Sequence, residues 1–392
     1  MNETNELNLQ PTEAKKKFSL SKVWPKGLTC LIILGIIFGY LGYEMGAANM
    51  LNTIMHTAHD LLLNTVFFLL SVLVITGALG SIMTEFGVVN LIEKLLRPLM
   101  KPLFNLPGVA SLGATMTFLS DNPAVITLAR DKQFASYFRK YQIISLTNFG
   151  TAFGMGILVI VFMAGMGFFK DAMIGLFGAF CGAIVSTRLM QRFILKSYPH
   201  YKDELAAEAV EIQEEEKGHK NESMTIRILN CLLDGGKGGV EVGMTIIPGV
   251  LIISTFVMML TFGAPEGGYT GAAYEGVQLL PWIGEKLQFL FKYLFGFNDP
   301  HLIAFPITAL GAVGAALSIV PTFLSSGWID GNAIAVFTAI GMCWSGYLST
   351  HTAMLDSLGY RELTGKAILA HTVGGLCAAI IAHLTFLLFS LF

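Results

Sequence analysis

An all-α polytopic membrane fold, with about seven transmembrane helices and two re-entrant hairpins, follows from three observations. The chain is 54% hydrophobic and only 13% charged, with a mean hydropathy of +0.63, whereas soluble domains are about a quarter charged. Apolar stretches of the length a bilayer requires, about 20 residues, recur along it. One of these, residues 112–123 (LGATMTFLSDNP), is interrupted by Ser120, Asp121, Asn122 and Pro123, and it has a near-copy at 310–321 (LGAVGAALSIVP). Leu112, Gly113, Ala114, Leu119, Ser120 and Pro123 match Leu310, Gly311, Ala312, Leu317, Ser318 and Pro321 in constant register. Interrupted apolar segments at corresponding places in two halves of a membrane chain point to a binding site at their tips.

Residues 1–27 are polar and contain Lys15, Lys16, Lys17, Lys22 and Lys26. They read as a tail that the lysines hold on the cytoplasmic side, with no small-residue site for signal-peptide cleavage. The first span, 28–48, runs outward. An external loop to residue 60 holds His56, His59 and Asp60, read as loop residues rather than metal ligands.

Residues 61–195 form a first repeat. Its opening span, 61–83, runs inward. The following stretch, 88–107, alternates leucines with Glu93, Lys94, Arg97 and Lys101 at three- and four-residue steps, as an interfacial amphipathic helix does. Cationic residues then flank both ends of 108–130, so both ends lie on one side and the segment is a re-entrant hairpin with its tip near residues 120–123. Spans at 142–167 and 172–190 complete the unit.

Residues 196–223 are a charged cytoplasmic linker with Glu211, Glu214, Glu215 and Glu216. Residues 224–392 repeat the plan in the opposite sense. The lead-in, 224–242, is polar and glycine-rich. Its DGGKGG lacks the spacing of a phosphate loop. A span at 243–262, a glycine-rich external loop with Glu266 and Glu275, and an interfacial helix at 282–295 follow. The second hairpin is 301–327, and spans at 332–357 and 367–392 close the chain. The two halves enter the membrane with opposite polarity, an inverted-topology repeat of the kind that underlies alternating access.

In this order of elements the chain resembles the nucleoside-recognition or gate-domain membrane family and, more distantly, concentrative nucleoside transporters. The resemblance covers residues 61–392. It is most specific at Ser120-Asp121-Asn122-Pro123, where the transporters carry a polar run with a carboxylate. The span beginning SLTNFGTAFGMG, residues 145–156, is similar to their small, polar helix beside a sodium site. Two departures stand out. The transporters' second tip carries an Asn-Glu pair, where this chain reads Ser318-Ile319-Val320-Pro321-Thr322. Their later span carries an Asn, where this one reads GMCWSGYLSTHT, residues 341–352. The resemblance implies a secondary transporter, with a homo-oligomer, a trimer in the related proteins, as its assembly.

The candidate substrate-binding residues are Ser120, Asp121, Asn122, Ser318, Thr322, Ser345, Ser349 and His351, and the candidate ion-coupling residues are Asp121, Thr147 and Asn148. Asp121 is the sharpest, since a carboxylate at membrane depth is costly and usually functional. A helix-capping role is its alternative reading. His351 has a side chain able to exchange protons near neutrality, or it packs as a satisfied core histidine. His371 and His383 read as packing or interfacial residues. The five cysteines (Cys30, Cys181, Cys231, Cys343, Cys377) read as small buried hydrophobes.

These residues support a secondary active transporter of a polar small molecule, nucleoside-like or another small metabolite, bound between the hairpin tips and coupled to Na⁺ or H⁺. Its expected location is the inner (plasma) membrane, amino terminus inside, with a small solute and the lipid bilayer as partners. No cofactor is expected beyond Na⁺ as a coupling ion. There is no GxSxG or HExxH motif and no metal-ligand spacing, so neither an enzyme nor a resident metal is expected. A net charge of −2 gives no footprint for nucleic acid. The alternatives are a non-transporting or channel-like gate-domain protein with an assembly role, as in spore-maturation proteins, or a metal-ion permease.

Overall fold

The computed structural model describes residues 20–120, 123–207 and 223–391, the side chains at 20–24, 123, 348 and 349 excepted. The tail lysines Lys15, Lys16 and Lys17 and the acidic cluster of the linker lie outside these residues. So do Asp121 and Asn122.

Among the described residues six helices are long and apolar enough to cross a bilayer: Pro25–Met45, Ala47–Glu85, Lys140–Gly165, Phe169–Ser197, Met224–Thr261 and Arg361–Phe389. The seventh expected span, 332–357, is instead two shorter helices, Gly331–Cys343 and Tyr347–Ser357, separated by a turn at Trp344, Ser345 and Gly346. Lys140–Gly165 has a matching interruption, with turn residues from Ala152 to Met155 between Lys140–Thr151 and Gly156–Gly165.

Two helices are much longer than the sequence suggested. Ala47–Glu85 runs 39 residues and includes the stretch expected as an external loop; Met224–Thr261 runs 38 and includes the polar lead-in. Each contains one π-turn, Leu61–Val66 and Val250–Ser254. The two pack antiparallel, backbone against backbone. A Cβ added at Gly77, Gly235 or Gly239 would lie 2.4, 2.4 or 2.3 Å from an opposing carbonyl oxygen. Glycine disfavours an isolated helix, but here it permits a contact that no larger residue allows. This contact explains why a glycine- and charge-rich segment is helical. At one end of the pair Arg227 donates to Glu85 at 2.9 Å (Nε).

The two interrupted segments differ from each other. In the first, helices Ala110–Leu119 and Pro123–Arg130 flank residues 120–122, where the tip was expected. In the second, the break is at Ala312, whose backbone is extended (φ −164°, ψ 132°). Helix then runs from Val313 to Ser325 through Ser318, Pro321 and Thr322. The expected tip at 318–322 is therefore corrected to 311–313. Small residues permit this earlier break. A Cβ on Gly311 or Gly314 would lie 2.9 Å from Ile253 or 3.0 Å from Ile246, and Gly249 faces Ala312, so the chain turns flat against the second long helix.

The first amphipathic helix, Val88–Leu99, carries an i,i+4 pair between Arg97 and Glu93 at 2.5 Å. The second is split at Leu287 into Leu279–Lys286 and Gln288–Phe295. The centre of the molecule is Lys140–Gly165, almost wholly enclosed by protein. Beside it Phe169–Ser197 and Arg361–Phe389 pack antiparallel through small residues: Gly178 lies against Ala378 and Ala382, and Gly182 against Gly374. Of the cysteines, Cys343 is buried, Cys30 is exposed and the others are half-buried, so only Cys343 matches the expected burial fully.

Candidate functional site

The two interrupted spans meet at their breaks. Ser345 Oγ donates to the carbonyl oxygen of Thr151 at 3.1 Å. Gly156, the first residue after the other break, lies against the Phe118 ring of helix Ala110–Leu119 and the Met342 methyl; an added Cβ would stand 2.2 Å from Phe118 Cδ2. Broken helices leave backbone polar groups without intrahelical partners, and this crossing is where such groups collect.

A buried polar chain runs through the crossing. Asn148 Nδ2 donates to Ser186 Oγ at 3.0 Å and to the carbonyl of Ala367 at 2.9 Å. Ser186 Oγ is 2.9 Å from His371 Nδ1, and His371 Nε2 faces the carbonyl of Cys343 at the break. A carbonyl can only accept, so His371 carries its proton on Nε2, and Nδ1 accepts from Ser186. Trp344 Nε1 donates to the His371 carbonyl at 3.3 Å. His351 Nδ1 lies 2.7 Å from the carbonyl of Tyr347 and so carries the proton. Its Nε2 is buried with no partner among the described residues. The two imidazole centroids are 4.5 Å apart.

The structure thus brings Thr147, Asn148, Ser345 and His351 into one region. Thr147 Oγ1 donates to Ile144 O at 2.9 Å and to Asn148 Oδ1 at 3.2 Å. Asn148 is committed to Ser186 and Ala367 rather than open to a pocket. His371 and Ser186 are the residues that sequence reasoning missed. The sequence suggests for His371 only a packing or interfacial role, and Ser186 sits in an apolar run that gives no signal of its own. The backbone of Ser349 is in the same helix as His351; its side chain lies outside the described residues.

Ser318 and Thr322 are elsewhere. Ser318 is fully buried and donates to Ser254 at 2.9 Å and to Ala315 O at 2.8 Å, against the second long helix. Thr322 is half-buried on the same helix. Ser120 is exposed, closes the helix Ala110–Leu119 and donates to Met116 O at 2.8 Å. It lines a cavity of about 480 Å³ between the first interrupted segment and the two long helices, together with Thr76, Thr84, Asn90 and Glu241. A second cavity of about 450 Å³ is apolar and walled by Phe118, Phe149, Phe153 and Phe180.

Residues of the expected external region form an ordered assembly. His56 Nδ1 is 2.9 Å from Gly271 O, and Tyr274 donates to Asp60 at 2.5 Å. The Glu275 carboxylate accepts from Thr270 N (3.0 Å), Thr270 Oγ1 (2.5 Å) and Gly271 N (2.9 Å). Burial alone would raise its pKa, but these donors more than offset that and hold the carboxyl below its ordinary range. Among the described residues there is no group of three or more His, Cys, Asp or Glu placed to hold a metal.

Residues 66–167 match the Gate family, described as nucleoside recognition. Among solved structures the chain is similar to CNTnw in an inward-facing, substrate-bound state, with a TM-score of 0.51, 14% identity, and coverage of 91% of this chain and 90% of that one. It is also similar to a doubly substituted CNTnw in an outward-facing state, with a TM-score of 0.50, 12% identity, and coverage of 94% and 86%. Identity this low shows a shared fold. No curated protein matches the chain. The resemblance read from the order of elements over residues 61–392 is shown by the Gate match to residues 66–167 and by this concentrative-nucleoside-transporter fold. The chain is a multi-pass membrane protein of that architecture.

Proposed function

We propose that the chain is a secondary active transporter of a polar small molecule, nucleoside-like in character, with Na⁺ or H⁺ as the coupling ion. The observation that carries this reading is the recurrent order of elements. A long helix, an amphipathic stretch, an interrupted pair of short helices, a broken span and a second long helix occur twice, and the two broken spans cross at Ser345 and Thr151. The match of residues 66–167 to a nucleoside-recognition family and the likeness to CNTnw support it. In this reading the two halves are an inverted repeat, the interrupted segments are re-entrant, and the protein sits in the plasma membrane with its amino terminus inside.

Asp121 is the proposed coupling residue, on the sequence argument that a carboxylate beside a helix-breaking Asn-Pro at membrane depth has a task. Ser120 and Asn122 are proposed beside it. Ser345, Ser349 and His351 are proposed as the opposing wall, His351 because its buried Nε2 is an acceptor that a substrate hydroxyl or amine would satisfy. Ser318 and Thr322 are kept only as supports of the second segment, because Ser318 is spent on Ser254. The second break is apolar, and this one feature favours the assembly-protein alternative.

The test is thermal stability of the purified protein against nucleosides, nucleobases and small metabolites, each with and without Na⁺. Binding to the folded state alone adds about 2.7 kcal/mol at 100 times Kd. A solute-specific shift that is lost in His351→Ala is expected. No shift with any nucleoside or nucleobase would overturn the nucleoside-like assignment.

A further inference from the structure

The apolar cavity of about 450 Å³ has a chemistry unlike that of a polar-solute site. Among its lining residues the one polar side chain is Thr115, whose hydroxyl donates to Ser111 O at 2.9 Å within its own helix. Sites for polar ligands carry a few convergent polar groups, and a buried water needs two to four polar partners. This lining supplies neither. A hydrocarbon enters it without stripping any polar group of water.

The cavity opens where hydrocarbon is. Met173, Leu176, Phe177 and Phe180 follow three- and four-residue steps and line it as one stripe of the helix Phe169–Ser197. Phe177 is 52% and Met173 41% exposed, so this stripe is the mouth. Arg188 of the same helix donates to Leu103 O at 2.8 Å, which ties it to the end of the first amphipathic stretch. Phe180 and Met173 lie about 12 and 22 Å from Arg188 along the axis. With the amphipathic stretch at the membrane interface, the mouth falls inside a hydrocarbon core of about 30 Å.

That stretch is also the roof. Ile92, Leu96 and Met100, at four-residue steps, face the cavity. Lys94 and Lys101, two turns apart, are exposed on the opposite side. Glu93 is paired with Arg97 at 2.5 Å, and neither lysine has an acidic partner among the described residues. An apolar underside with unpaired cations at headgroup level is the arrangement that attracts anionic lipid. A volume of about 450 Å³ that reaches from this roof to Met173 is long and narrow, the shape of an extended chain. Its inner wall is the broken span: Phe149 is fully buried, and Phe153 belongs to the interruption at Ala152–Met155.

We propose that this cavity is a lipid site. One acyl chain of an anionic phospholipid lies in it, with the phosphate at Lys94 and Lys101 and the chain against Phe149 and Phe153. The inference rests on the placement of the chain in a bilayer and not on the transport reading.

The test uses the purified full chain in liposomes containing a phosphatidylglycerol whose acyl chain carries a photoactivatable diazirine. After illumination, adducts are located by peptide mass spectrometry. Lipid that only surrounds the protein reaches Met173 and Phe177. A chain inside the cavity also reaches Thr115, Phe149 or Phe153, which are buried, and labels there are the expected result. Labels confined to exposed residues overturn the proposal. So does an unlabelled mouth together with a crosslinked dimer, which would give this face to a second copy. Ala114→Phe places a ring in the cavity; it should abolish the inner labels and leave those on the exposed Ile75 unchanged. Inner labels that survive it overturn the site. The same probe on phosphatidylcholine should label the inner wall about tenfold less, the order expected for two cations near an anionic headgroup. The double variant Lys94→Gln, Lys101→Gln should remove that difference. Equal inner labelling of the wild type by the two lipids overturns the headgroup assignment. If Ala114→Phe does not fold, the wild-type labels and the lysine variant decide the matter alone.

Discussion

The two interrupted segments share half their residues over a twelve-residue stretch, yet they break in different places. In the first, Pro123 opens a helix, a position that needs no N–H. In the second, the matching Pro321 lies inside the helix Val313–Ser325, where its ring removes a backbone hydrogen bond. Ser120 ends a helix and faces a cavity; its counterpart Ser318 is buried against Ser254. Sequence similarity here marks descent from a common pattern, and local packing decides where the chain turns. The first break directly precedes Pro123, and a proline biases the residue before it away from helix. The second follows from Gly311 and Gly314, which let the chain lie against Ile246 and Ile253.

The largest expected effect on this contrast comes from the prolines. Pro321→Ala restores a helical donor and should stabilise the protein by about 1–3 kcal/mol, whereas Pro123→Ala should be neutral or mildly destabilising; thermal unfolding of the two variants checks this. If Pro321→Ala destabilises as much as Pro123→Ala, the two prolines have the same role and the assigned second break is wrong.

Next in size is Glu275, which orders the loop after the second long helix and has no counterpart in the first half. Its folded pKa lies below the ordinary value. Its contribution is therefore present above the unfolded pKa and is lost as pH falls through the folded value. Glu275→Gln should cost about 1–3 kcal/mol at neutral pH, and the difference from wild type should shrink in acid. A pH-independent difference would assign the loss to shape rather than charge.

The smallest effect compares the matched glycines. A Cβ on Gly113 meets Val125 at 3.4 Å, an ordinary contact, while one on Gly311 meets Ile253 at 2.9 Å. Gly311→Ala should be about 1 kcal/mol less favourable than Gly113→Ala. Equal melting temperatures would mean that the second break is loosely seated.

Much of the architecture was legible because lipid imposes simple rules. Apolar length gave four of the six long helices nearly in place and part of each of the other two, and the first break followed from four residues. What the sequence hid was helix continuity. Asp234, Lys237 and four glycines between 235 and 239 look like a loop, because neither the ion pair nor the glycine contact with Gly77 can be read from one strand of text. His351 was visible as a lone histidine in an apolar span, but its neighbour His371 and the Asn148–Ser186 chain required three helices to meet. Thr147 and Asn148 were found as polar residues and assigned a partner, Asp121, whose contacts lie outside the described residues.

The most direct measurement is solute uptake into proteoliposomes under an imposed Na⁺ or proton gradient, comparing wild type, Asp121→Asn and Ser318→Ala. The account predicts gradient-driven uptake of a nucleoside-like solute by the wild type, its loss in Asp121→Asn with the protein still folded in the membrane, and near-normal uptake in Ser318→Ala. Uptake that survives Asp121→Asn, or that fails equally in Ser318→Ala at wild-type stability, would contradict the division of labour between the two breaks.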